Sequence, residues 1–247
     1  MLKSKTNRFW EIDFLRGIAI IMMIIFHFLY DLNFFNFVSI DLFNIPMIFY
    51  VYTTASIFLV LVGVSLTLSY SKAKKILTKN QLHIKFIRRG IFIFSLGIII
   101  TIVSWFYLKQ GFIIFGVLHC IGVSIIVSYP LIRFRVLPLS LGIVFVLVGI
   151  YLKTLTFNFS WLLWLGFMPS NFYTVDYFPL MPWLGVVFIG IFLGNTFYEN
   201  GLRKFSIIEN PKISFFNFIS FFGRYSLLIY LLHQLVLIGI FTIIKII

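Results

Sequence analysis

The chain has 247 residues, of which 61% are hydrophobic and only 11% charged, and it carries a formal net charge of +13. A soluble domain has roughly 45–50% apolar and about 25% charged residues, so these proportions exclude a water-soluble fold. They also argue against a nucleic-acid partner, because the basic residues stand beside apolar runs and form no patch interleaved with aromatics.

Seven apolar runs come near the roughly 20 residues that a spanning helix needs: 14–33, 46–70, 89–108, 112–132, 136–153, 179–198 and 216–245. No polar stretch between them is long enough for a separate soluble domain, so residues 1–247 read as a single transmembrane domain. The predicted fold is all-α, a polytopic transmembrane helical bundle of about seven spans, multi-pass in the cell membrane. Lys3, Lys5 and Arg8 precede the first run, and Lys72, Lys74, Lys75, Lys79, Lys85, Arg88 and Arg89 crowd the connection between the second and third. Arg133, Arg135, Arg203, Lys204 and Lys212 lie in the other even connections, with only Lys109, Lys153 and Lys245 opposite. The positive-inside rule therefore predicts a cytoplasmic N-terminus and an outer C-terminus.

The first run opens with Glu11, Asp13 and Arg16 and is not followed by a small-residue cleavage pattern, so it is expected to be a retained helix. It also carries His27 and Asp31. A charged side chain at a helix centre in hydrocarbon costs about 2.5–3.5 kcal/mol, so each such residue needs a reason. Arg16 and His27 stand eleven positions apart, three turns plus about 20°, and share one helix face at an axial distance of about 16 Å. Asp31, one turn beyond His27, is predicted to reach its ring, fix the tautomer and raise its basicity. Asp13 and Arg16, three apart, have the spacing of an intrahelical ion pair.

Further along, the 34–45 connection with Asp41 is placed outside, and His119 follows Gly116 in the fourth run at a depth predicted to match His27. Cys120 is the only cysteine and lies in an apolar run, which rules out an intramolecular disulfide and suits packing. Residues 154–178 contain Trp161, Trp164, Tyr173, Asp176 and Tyr177, a composition suited to an interfacial aromatic belt. Pro179 and Pro182 suit a helix start or a break at the sixth run. The last run, long enough to begin along the interface, carries Arg224 and His233. Within it Ser226, Tyr230 and Gln234 recur every four residues, a polar stripe that serves either interhelical hydrogen bonding or a site.

Several of these segments match a known family in order. Arg8-Phe-Trp-Glu-Ile-Asp13-Phe-Leu-Arg16-Gly17, followed by Phe26-His27-Phe-Leu-Tyr-Asp31, resembles the prokaryotic branch of the heparan-alpha-glucosaminide N-acetyltransferase catalytic-domain family. Ser56 to Ser65, Phe115 to Gly122, Asp176 to Gly185 and Gly223 to Gln234 extend the resemblance over nearly the whole chain. The spacing of Arg16 and His27 is also similar to the first-helix signature of acyltransferase-3 membrane acyltransferases. The resemblance implies an acyl-CoA donor, acetyl-CoA foremost, entering from the cytoplasm. It also implies a sugar-type acceptor with an amino or hydroxyl group at the outer face, and a histidine that assists transfer. The family's lysosomal member differs around the His27 position and has its active histidine further along.

The expected site then has His27 as general base, oriented by Asp31, with His119 stabilising the oxyanion or sharing the base role. Arg16, Arg88, Arg89 and Arg224 stand at cytoplasmic helix ends, where guanidinium groups grip CoA phosphates. Arg88 and Arg89 also satisfy orientation alone. Asp176, Tyr177 and Trp183, with Tyr230 and His233, line the acceptor side. The expected partners are the bilayer, acyl-CoA and the acceptor, with no metal and no nucleic acid, and a homo-oligomer is compatible with the pattern. Two other classes use the same residues. In a transporter or flippase they form a substrate path, and in an electron-transfer protein two of His27, His119 and His233 bind haem axially. A retinal protein is disfavoured because no lysine lies mid-membrane.

Overall fold

The computed structural model describes residues 8–207 and 214–246; Lys3, Lys5 and Lys212 of the topology signals lie outside the described residues. Eight α-helices run through these: α1 (Trp10–Phe34), α2 (Ile45–Ala73), α3 (Lys79–Leu108), α4 (Val117–Ser128), α5 (Val136–Leu152), α6 (Leu180–Phe197), α7 (Ser214–Arg224) and α8 (Ser226–Ile246). No strand occurs among the described residues, as hydrocarbon requires of a chain that must satisfy its own backbone groups without closing a barrel. Five helices, α1, α2, α3, α6 and α8, are long and apolar enough to cross a membrane, while α4 and α5 are shorter apolar helices.

Two predicted runs differ from the observed elements for local reasons. The run 112–132 becomes helical only at Val117, because Gly111 has a positive φ of 71° and Gly116 is an extended N-cap. The run 216–245 is not one helix, since α7 ends at Arg224 and α8 begins at Ser226. In α7, Ile219, Ser220 and Gly223 are buried while Phe215, Phe218 and Phe221 are exposed, so it is a short two-faced helix distinct from the apolar α8.

The fold divides into two units, one comprising residues up to Leu61 with those from Ile207 onward, the other Val62–Ser206. In the first, α7 lies across the opening turns of α1, with Trp10 and Phe14 on Phe216 at ring distances of 5.5 and 5.1 Å. The approach is backbone to backbone: a Cβ on Gly17 would overlap the Ile219 carbonyl, and one on Gly223 would overlap the Asp13 carbonyl. Small residues that let helix backbones meet are the usual solution where lipid offers no hydrophobic drive. Further along α1, His27, Asp31 and Phe35 meet His233, Gln234 and Phe241 in turn, so α1 and α8 run in the same direction. The Tyr50 hydroxyl donates to the Met22 carbonyl at 2.9 Å and ties the start of α2 to α1.

In the second unit α5 and α6 pack antiparallel, with Gly142 and Gly185 facing each other and Phe145 against Phe188 at 5.6 Å. The helix α3 starts with a capping box in which Thr78 accepts from the Gln81 N–H and Gln81 Oε1 accepts from the Thr78 N–H. Asn195 of α6 donates to the Ile132 and Phe134 carbonyls, both at 2.8 Å, and so satisfies the connection between α4 and α5.

Adding a methyl group at the α1–α7 contact tests this packing. Gly17→Ala and Gly223→Ala are each expected to lower stability by about 1–3 kcal/mol through overpacking. Gly239→Ala, with no atom within 4 Å of the new Cβ, is expected to leave the thermal midpoint of the detergent-solubilised protein unchanged or higher.

Candidate active site

In the first unit, α1 carries His27 and Asp31 one turn apart, and α8 brings Tyr230, His233 and Gln234 against them. The His27 and His233 rings meet edge to face with centroids 4.8 Å apart and planes inclined by 62°. His233 Nδ1 is 2.7 Å from the Tyr230 carbonyl oxygen. A carbonyl only accepts, so Nδ1 carries the hydrogen and the lone pair is on Nε2. That Nε2 is buried and without a hydrogen-bond partner.

Gln234 Nε2 donates to both oxygens of Asp31, at 2.9 and 3.1 Å, and Asp31 is only 2% exposed. The amide orientation is thereby fixed, which leaves Gln234 Oε1 buried and unpartnered. Unpaired buried acceptors cost about 1–3 kcal/mol each. Two of them on consecutive residues make this a place that favours a hydrogen-bond donor.

The expected Asp31–His27 bond is absent: the carboxylate is taken by Gln234, and the His27 ring lies against Phe26 and His233. Helical spacing brought the two side chains to one face, but a donor on α8, 203 positions away in sequence, wins the carboxylate. Gln234 is thus the residue left out of the expected site set. The four-residue recurrence of Ser226, Tyr230 and Gln234 was the signal that marks it.

At the other end of α1, Arg16 pairs with Asp13, Nη1 to Oδ1 at 3.1 Å, as the spacing predicts. Arg224 is exposed at the end of α7, with no acidic partner among the described residues. Its position at a helix end explains how an arginine fits inside a run read as continuous. Gly223 abuts α1 between Asp13 and Gly17, so Arg16 and Arg224 each adjoin, in sequence, a residue of the same helix crossing.

His119 belongs to the second unit and is 4% exposed. Its Nδ1 accepts the Gly116 N–H at 3.2 Å, so the ring hydrogen is on Nε2. Phe115 stacks on the ring at 5.4 Å and Phe94 meets it edge-on at 5.1 Å, with Gly97 leaving room for it. In this tautomer Nε2 presents a hydrogen, while the Nδ1 lone pair is engaged by the Gly116 N–H.

Asp176 also serves the start of α4, Oδ2 accepting from the Val117 N–H at 3.4 Å. The Thr174 hydroxyl donates to the Phe112 carbonyl at 2.7 Å, and the Val175 and Phe178 amides bond to Gly111 and Phe115. The Tyr177 hydroxyl donates to the Leu163 carbonyl at 2.7 Å, and burial pushes its acidity down, raising the pKa. Trp183 packs on Phe178 at 5.0 Å. These three expected acceptor-side residues therefore all stand beside the start of α4 or α6 with structural work to do. Trp161 and Trp164 are exposed, as a belt at an interface needs. Arg88 and Arg89 are exposed on the first turns of α3. No group of three or more His, Cys, Asp or Glu side chains with metal-binding geometry occurs among the described residues.

The multi-pass helices, with a half-buried pair of histidines in contact between α1 and α8, define a polytopic membrane protein. The family described as heparan-alpha-glucosaminide N-acetyltransferase, catalytic, matches residues 8–235, and the chain belongs to that family. Its class is accordingly that of a membrane N-acetyltransferase. No curated protein and no solved structure matches the chain.

Burial pushes the Asp176 carboxyl up from 3.8 to about 6, against the smaller opposing effect of the Val117 N–H. A carboxyl whose folded pKa is raised binds its proton more tightly in the folded state, so its stabilising contribution is present at acid pH and is lost as pH rises through about 6. Relative to Asp176→Asn, whose amide oxygen keeps the cap and never ionises, the wild type is expected to lose thermal stability between about pH 4 and 6. Parallel melting curves for the two proteins would refute this.

Proposed function

We propose that the chain moves an acyl group, acetyl foremost, from cytoplasmic acyl-CoA to an amino or hydroxyl group of a sugar-type acceptor at the outer face of the cell membrane. The observation that carries this reading is the half-buried His27–His233 contact, with the Nε2 lone pair of His233 held available by the Tyr230 carbonyl. Family membership supplies the reaction class.

In the reaction, the acceptor nitrogen or oxygen forms a bond to the thioester carbonyl carbon while its proton passes to the histidine pair. The carbon–sulfur bond then breaks, and the CoA thiolate leaves with that proton. His27 and His233 act as one base, and two neutral rings in contact suit a group that takes up a single proton. Asp31 and Gln234 hold α8 against α1 and so position the pair, with the unpartnered Gln234 Oε1 beside it to accept a hydrogen bond from the acceptor. Arg16 and Arg224, at one helix crossing, serve the donor's phosphates as bidentate guanidinium ligands.

The distance of about 16 Å along α1 between Arg16 and His27 suits a donor whose phosphates and thioester lie far apart. The parallel course of α1 and α8 supports an odd number of crossings, as in a seven-span chain with its N-terminus in the cytoplasm. His27 and His233 are in ring contact, which leaves no room between them for a porphyrin, so this pair does not support the haem reading.

The test is acyl transfer by the purified protein supplied with acetyl-CoA and amino-sugar acceptors. His27→Ala and His233→Ala are each expected to lower kcat by roughly 10²–10⁴. The double variant is expected to be no worse than the more damaged single one, because residues acting as a unit are not additive. Retention of normal turnover by either single variant would overturn the paired base, and solute flux without acetyl-CoA consumption would favour a transporter.

A further inference from the structure

The connection between α2 and α3 forms a cleft of about 500 Å³ lined by Leu77, Gln81, Ile84, Lys85 and Arg88, all within the second unit. Its walls are of two kinds. Leu77 and Ile84 are apolar, while Lys85 and Arg88, three apart on α3, contribute two cations, and Arg89 adds a like charge near Lys85. Among the described residues neither Lys85 nor Arg88 has an acidic partner. Gln81 adds an amide whose oxygen is already engaged by the Thr78 N–H, leaving its NH₂ group as the free donor.

The surface below the cleft says what kind of anion belongs there. Ile91, Ile98, Ile99, Ile102, Val103 and Phe106 of α3 are all exposed. Together they form an uncovered apolar surface of about 22 Å along the helix, comparable with much of a hydrocarbon core of about 30 Å. Arg88 stands one turn before that surface on the same helix, so a cation and an apolar face follow each other along α3. A free phosphate or a nucleotide would use the cations and leave the apolar surface unused.

We propose that this cleft binds the headgroup of an anionic phospholipid, its phosphate between Lys85 and Arg88 and its acyl chains along the exposed face of α3. Basic side chains at the cytoplasmic end of a spanning helix attract such lipids, each cation contributing severalfold in affinity. Its readout is retained lipid and not acyl transfer, so its test is independent of the proposed reaction.

The experiment uses the full chain purified in mixed micelles of phosphatidylcholine and phosphatidylglycerol, with retained lipid measured by native mass spectrometry. The wild type is expected to retain phosphatidylglycerol in preference to phosphatidylcholine, and Lys85→Gln combined with Arg88→Gln to retain roughly tenfold less. Arg88→Glu alone, a reversal at an exposed position, is expected to lose it as well. Arg133→Gln with Arg135→Gln removes the same net charge elsewhere and is expected to retain the lipid. Unchanged retention in the cleft variants, or equal loss in the Arg133 and Arg135 variant, overturns the proposal. Displacement of the lipid by coenzyme A or by inorganic phosphate at matched ionic strength also overturns it, in favour of a site for soluble phosphates.

Discussion

The Asp31–Gln234 contact is the constraint on which the first unit depends. A carboxylate 2% exposed in an apolar helix pair has to be satisfied, and both of its oxygens accept from one amide on α8. Breaking a buried hydrogen bond of this kind by removing one partner leaves the other unpaired, at a cost well above the bond's net contribution. The pairing therefore fixes the register of α8 on α1. His233 is brought to His27 by the same register, one residue earlier on α8 and one turn earlier on α1. The two contacts divide the work, one holding the helices and the other leaving basic nitrogen in the space so formed.

The two units use histidine in opposite ways, and the difference is in the hydrogen-bond partners. His233 gives its Nδ1 hydrogen to a carbonyl and retains a lone pair at Nε2. His119 receives an amide hydrogen at Nδ1 and retains a hydrogen at Nε2. The same side chain thus keeps an unengaged lone pair in one setting and closes a helix start as an acceptor in the other. Asp176 and Thr174 join His119 in organising the entry to α4, where the chain turns at Gly111 and Gly116.

Much of this was legible from residue order. The helices followed from the length of the apolar runs, and the Asp13–Arg16 pair followed from spacing within one helix. What spacing did not reveal depends on contacts between distant segments. His27 and Asp31 share a face, yet Asp31 bonds to a residue on another helix. Arg224 was expected at a helix end although it stood inside one apolar run, and the break between α7 and α8 is what supplies that end. Asp176 and Tyr177 had the composition of a binding mouth, and spacing did not reveal that each also bonds backbone groups that only the folded chain at Val117 and Leu163 supplies.

The contact of α7 with α1 also has a mechanical side. At Gly17 and Gly223 no layer of side chains separates the two backbones, so there are no rotamers to absorb a displacement. The helix α8 begins at Ser226, three positions after Gly223. The close approach of those two backbones therefore also sets where the histidine-bearing helix starts relative to α1.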